Sequence, residues 1–163
     1  MNNNDILRRI RFAFDFGDSK MMSVFQMGGH ESTRAEISNW LKKDDDPDFA
    51  SLNDKLLATF LNGFIVENRG SSSKEMIPEK RLNNNIILRK LKIALSLKDL
   101  DMLEVLELGD FKLGKHELSA FFRRPDQQHY RLCRDQVLRK FLQGLIVKYR
   151  GIVPEDEDNP DKK

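Results

Sequence analysis

The sequence predicts an all-α protein, a tandem duplication of a small four-helix module. Three observations carry that expectation. Residues 2–70 repeat as residues 83–151 at a constant offset of 81, with 23 identities in 69 aligned pairs and no insertion. Apolar residues recur at helical spacing in both copies, with capping residues where the helices should open. No stretch alternates apolar and polar residues for long enough to make a strand.

Helix one follows an asparagine run in each copy. Ile6, Leu7, Ile10 and Phe14 in the first copy, and Ile87, Leu88, Leu91 and Leu95 in the second, fall on one helical face after a capping Asn. Helix two is expected to open with Asp18 or Asp99 as N-cap, to bury Met21, Val24 and Phe25, and to stop at a left-handed Gly28 or Gly109. Helix three opens on Thr33-Arg34-Ala35-Glu36, the spacing of a capping box. It buries Ile37, Trp40 and Leu41 and ends on Lys42-Lys43, cations suited to the helix dipole. Helix four runs from about Asn53 to Arg69, and Leu56, Leu57, Phe60, Leu61, Phe64 and Ile65 give it the wide apolar face of a central helix. Gly63 and Gly144 sit inside it, where glycine costs ~1 kcal/mol against alanine. Acceptance of that cost in both copies points to a close helix crossing.

The expected organisation is repeat one at 1–70, a Ser/Lys/Glu linker at 71–82, repeat two at 83–151, and an acidic, disordered tail at 152–163. The Asn-Asn-Asn-x-Ile-Leu-Arg opening, the Phe-Leu-x-Gly-x-Ile-Val block and the Arg-Gly ending each occur twice, in the second copy with Leu145 after the glycine. Together they resemble the YehS family of bacterial proteins, a family named for a domain of unknown function carried in tandem. The resemblance spans residues 2–151 and implies duplicated helical domains in a bacterial cytoplasmic protein. It transfers no catalytic or binding residue.

Composition narrows the function classes. At 163 residues, 39% hydrophobic and 33% charged, the chain is long enough for one ordinary domain or two small ones. Its longest apolar stretch, around Phe60 to Val66, is broken by Asn62 and Gly63, so no membrane span is expected. The opening residues show no secretory pattern. Cys133 is the only cysteine, so no intrachain disulfide can form, which fits the expected cytoplasmic location.

Catalytic and metal chemistries find little support, and no enzyme, cofactor or metal is expected. Asp44, Asp46 and Asp48 alternate like a calcium loop, yet Phe49 stands where its glycine belongs and Lys55 where its last acid belongs. His129 and Cys133 are four apart and could share a helical face, but two ligands do not make a zinc site. Ser71-Ser72-Ser73 is linker with no nucleophile elbow around it. Gly28-Gly29-His30 lacks the remainder of a phosphate loop. Trp40 aligns with Phe121, so it belongs to the core. Among shared charged residues, Arg8/Arg89 and Arg69/Arg150 are the most open to a functional role, although surface charge or the capping of a carbonyl explains them more simply.

Charge separates the copies. Residues 2–70 hold 9 Lys/Arg and 11 Asp/Glu, whereas residues 83–151 hold 14 and 8. The excess concentrates at Arg123, Arg124, Arg131, Arg134, Arg139 and Lys140, with His129 and Tyr130 among them. These six residues are the candidate surface for an anionic partner. The primary expectation is a non-catalytic protein-interaction or regulatory module that uses the groove between the two copies. The alternative is a nucleic-acid-binding protein that uses the basic second copy. The helix two–helix three interval is too long for a tight helix-turn-helix.

Overall fold

Three consecutive asparagines do three different jobs in each copy. In the computed structural model, which describes residues 1–71 and 74–153, the Oδ1 of Asn2 caps the first helix by accepting from the Asp5 N–H at 2.8 Å. Asn3 donates to Leu52 O at 3.1 Å and Asp54 Oδ1 at 2.8 Å, tying that helix to the start of the fourth. Asn4 is buried; it donates to Trp40 O and Ala50 O and accepts from the Leu52 N–H, clamping the loop that follows the third helix. Asn83, Asn84 and Asn85 repeat each bond at the shifted positions. A buried amide that satisfies both ends in this way fixes one loop geometry, because any other leaves polar groups unpaired.

The first copy comprises α1 (Asn3–Ala13), α2 (Asp18–Met27), α3 (Arg34–Trp40) and α4 (Asp54–Arg69). The second comprises α5 (Asn84–Ala94), α6 (Asp99–Leu108), α7 (Lys115–Phe121) and α8 (Asp135–Leu145), which continues as a π-helical turn over Ile146–Arg150. No strand occurs among the described residues. The expected helices are all present, and Thr33 with Glu36 closes the anticipated capping box. Asp18 and Asp99 are corrected: each is the first helical residue, and Gly17 and Lys98 occupy the N-cap positions. Leu41 lies just past the end of α3 and is only half buried.

Gly28 and Gly109 are also corrected. Their φ angles of −84° and −83° are not left-handed; the left-handed residues are the next ones, Gly29 at +103° and Asp110 at +62°. Gly28 and Gly109 are glycine because a helix lies against them. A β-carbon on Gly28 would stand 1.9 Å from Thr59 O, and one on Gly109 2.0 Å from Lys140 O. The same crossing explains Gly63 and Gly144, whose β-carbons would fall 1.8 Å from Val24 O and Val105 O. Each copy therefore has two glycines that let the second and fourth helices touch backbone to backbone.

The copies interlock. α4 packs chiefly on α2 of its own copy and α5 of the other, and touches its own α1 only slightly. Reciprocally, α8 with its π-helical turn packs on α6 and α1. One contiguous apolar core runs through both copies, from Ile6 to Ile146. Nine successive residues of α4, Leu57 to Ile65, are buried, as a helix gripped on several sides requires. The reciprocity has the form of an isologous dimer interface written in one chain.

The linker expected at 71–82 has no helix among its described residues and is anchored at its far end. The Leu82 N–H donates to Asp54 Oδ2 at 2.8 Å, and Glu79 pairs with Lys90 at 2.9 Å. Of the expected acidic tail, residues 154–163 lie outside the described residues, as do Ser72 and Ser73. No helix among the described residues is long and apolar enough to cross a membrane.

Candidate functional site

The six predicted basic residues do not form one uniform face. Arg124, Arg131 and Arg134 are exposed on the α7–α8 segment, with Arg134 as the N-cap residue of α8. Arg123, Arg139 and Lys140 are half buried. Arg124 has an exposed ion-pair partner, Asp126, at 3.8 Å, a pairing worth little in water. Arg139 lies one turn from Asp135, whose carboxyl is held below its ordinary range. The first cause is the hydrogen bond from Asn84, followed by the Met1 amino group and Arg139.

The loop also disposes of the metal arrangement weighed from spacing. His129 and Cys133 do not share a helical face, because both precede α8 and His129 has φ +72°. The Cys133 thiol is buried and pushed up to about 12, chiefly by that burial. The acidic loop of the first copy is engaged locally: Asp44 accepts from Asn2, Asp46 from the Asp48 N–H, and Lys42 pairs with Asp48.

The shared arginines reveal the site that spacing could not place. Arg8 donates to Lys42 O at 2.8 Å, and Arg89 to Phe122 O at 3.0 Å, each within its own copy. Arg69 and Arg150 reach across. Arg150 donates to Phe12 O at 2.9 Å, near the end of α1, and Arg69 donates to Ile93 O at 3.4 Å, near the end of α5. Those carbonyls lie in the last turns of their helices, where a cation is favoured; each also accepts a backbone N–H, from Asp15 and Ser96 respectively. Of the two simpler explanations of these arginines, surface charge and carbonyl capping, all four show a bond to a carbonyl.

The two inter-copy joints then diverge. At the Arg150 joint the guanidinium lies over the Phe12 ring at 4.1 Å and pairs with Asp15 at 3.4 Å, while Tyr149 packs at a tilt against Phe14 with ring centroids 4.8 Å apart. At the Arg69 joint the corresponding residues are Ile93, Ser96, Asn68 and Leu95. Smaller side chains there leave a cleft of about 360 Å³, lined by Arg69, Arg89, Lys92, Ile93, Ser96, Leu97 and Phe122. Three of the seven are cations and none is an acid. Arg69 bonds Ser96 Oγ at 3.0 Å, and Lys92 lies over the Phe122 ring at 4.5 Å while pairing with Asp99 at 2.7 Å. Phe122 leads directly into Arg123 and Arg124, so the cleft adjoins the predicted basic loop along the chain.

Lys92, Ser96 and Phe122 were absent from the sequence-derived set. A signal existed: the exchange of Asp15 for Ser96 removes an acid at a repeated position. It carries meaning only once Arg69 is known to reach that residue.

An all-α duplication with interlocked copies and a basic cleft at one joint is the class that fold and site define. The chain belongs to the family described as protein of unknown function (DUF1456), whose model matches twice, over residues 3–70 and 84–151. It is 41% identical over 150 residues to the uncharacterized protein YehS of Escherichia coli (strain K12), covering 91% of this chain and 96% of that protein. No solved structure matches significantly.

Proposed function

We propose that the protein is a non-catalytic interaction module that holds an acidic partner protein against the basic side of its second copy. One observation carries this reading. The arginines common to both copies are bonded to carbonyls of the fold, whereas Arg124, Arg131 and Arg134 stand exposed where the first copy has Lys43, Ala50 and Asn53. Charge added to one copy of a duplicated fold at Arg131 and Arg134, where the other copy has the uncharged Ala50 and Asn53, supports a surface duty.

The test is capture from native extract by the wild-type chain and by a variant with Arg123, Arg124, Arg131 and Arg134 all changed to Glu. A partner that survives nuclease treatment and is lost with the variant supports the reading. A second reading, nucleic-acid binding, rests on His129 and Tyr130 among the same arginines. It requires oligonucleotide affinity that falls log-linearly with salt. Tight, salt-sensitive oligonucleotide binding, abolished by the same four changes, would replace the first reading with the second.

A further inference from the structure

We propose that the cleft at the Arg69 joint binds a phosphate monoester. Its lining joins Arg69 at the end of α4 to Arg89, Lys92 and Ser96 on and just after α5, and to Phe122 just after α7. Positive charge without a lining carboxylate calls for an anion, and Asp99, outside the lining, engages Lys92. Both arginines are held in place before any ligand arrives. Arg69 is fixed through Nη1 to Ile93 O and Ser96 Oγ, and Arg89 through Nη2 to Phe122 O. A guanidinium carries five N–H donors, so one held by a single nitrogen still presents donors in the planar fork that matches a phosphate.

The duplication supplies an internal control. At the matching joint Asp15 pairs with Arg150, and the Phe12 ring lies under the guanidinium, so charge and space are both filled. The turn after the first helix matches at both places, since Asp15 and Ser96 each have φ +53°. What differs is that Arg150 meets an acid, Asp15, where Arg69 meets the hydroxyl of Ser96. The opening exceeds what a bare phosphate needs, and Ile93, Leu97 and Phe122 supply apolar wall for an organic group beside it. A monoester is close to a dianion at neutral pH, because its second pKa is about 6. It therefore answers the two arginines better than a single carboxylate does.

This site goes beyond the docking surface proposed above and does not depend on it. The full chain is titrated calorimetrically with phenyl phosphate and with a phosphoserine pentapeptide, sodium chloride holding ionic strength constant. Saturable binding is expected. Ser96→Asp should weaken it roughly tenfold or more, by analogy with the loss of a charge-assisted contact. Asp is tolerated at this left-handed position, as Asp15 shows, so the melting temperature should not fall. Arg89→Gln should weaken binding in the same direction, whereas the four-Glu variant of the basic loop should retain Ser96-dependent binding. Stronger binding of the peptide identifies a phosphorylated chain as the source, and stronger binding of phenyl phosphate a free small ester; both support the site. Absence of saturable heat with either probe overturns the proposal, as does a folded Ser96→Asp variant that binds as well as wild type.

Discussion

The two inter-copy joints occupy matching positions in the repeat and end differently. Arg150 and Arg69 perform one task, bonding a late carbonyl of the opposite copy's first helix. Around Arg150 the neighbours are Phe12, Asp15 and Tyr149; around Arg69 they are Ile93, Ser96 and Asn68. The first set fills and neutralises its joint, and the second leaves a basic cleft. Residues that recur in both copies therefore report what the fold needs, and a functional feature is better sought where the copies part.

The largest test of this comparison removes one copy altogether. Because α1 and α5 pack mainly on the other copy, residues 83–151 alone should not fold as a monomer. They should gain helix only by self-association or on mixing with residues 1–70. Circular dichroism with sedimentation reads this, and a stable helical monomer of either copy would break the interlocked picture.

Next in size are the crossings. Gly63→Leu and Gly144→Leu force a side chain into a backbone carbonyl 1.8 Å from the new β-carbon. Each should cost at least the upper end of the ~1–3 kcal/mol typical of overpacking, measured by urea unfolding. The two losses should be similar, since the crossings are equivalent; a melt unchanged by either substitution would refute the contact.

The buried asparagines should also behave as a matched pair. Asn4→Ala and Asn85→Ala each strand two carbonyls and one N–H that now share the side chain. A loss of about 2–3 kcal/mol is expected from each, from the penalty for unpaired buried groups. A markedly smaller loss at one of them would show that its loop finds other partners.

The joints themselves should separate the copies. Arg150→Ala removes a carbonyl bond, a ring contact and an ion pair, and should cost ~1–2 kcal/mol. Arg69→Ala removes a long carbonyl bond and a hydroxyl contact at an exposed residue, for a loss of less than about 1 kcal/mol. Thermal melts that reverse this order would undo the contrast drawn between the joints.

The smallest effect concerns Cys133, which aligns with the buried Leu52. With its thiol pushed up to about 12, it stays protonated at neutral pH. A thiol reagent should label it slowly in the native state and quickly in urea. Rapid native labelling would mean that the α7–α8 segment opens more readily than its counterpart, the α3–α4 segment.

Much of the fold was legible because a duplication reads each helix twice. The recurrence of Phe60-Leu61 as Phe141-Leu142 and of Gly63 as Gly144 fixes helix four and its crossing without reference to distant contacts. Capping chemistry was less secure. Asp18 resembles an N-cap but begins the helix, since an acid is also favoured in the first turn. The basic loop was legible as composition, but the exposure of each arginine was not. Lys140 sits beside Arg139 in sequence, yet its carbonyl lies against Gly109 at the α6–α8 crossing.

The sequence by itself determined the all-α class, the register of the repeat, the helix order and the close crossing at Gly63 and Gly144. Those depend on local periodicity, capping and a repeat that needs no partner to be seen. Tertiary structure alone decided which copy each first helix packs against, and so where Arg69 and Arg150 reach. Intramodular and cross-module pairing bury the same apolar stripes, so hydrophobic pattern does not distinguish them. The cleft follows from that choice. It joins Arg69 to Arg89, Lys92, Ser96 and Phe122 from three stretches of chain, and its charge is left open because residue 96 is serine where residue 15 is aspartate.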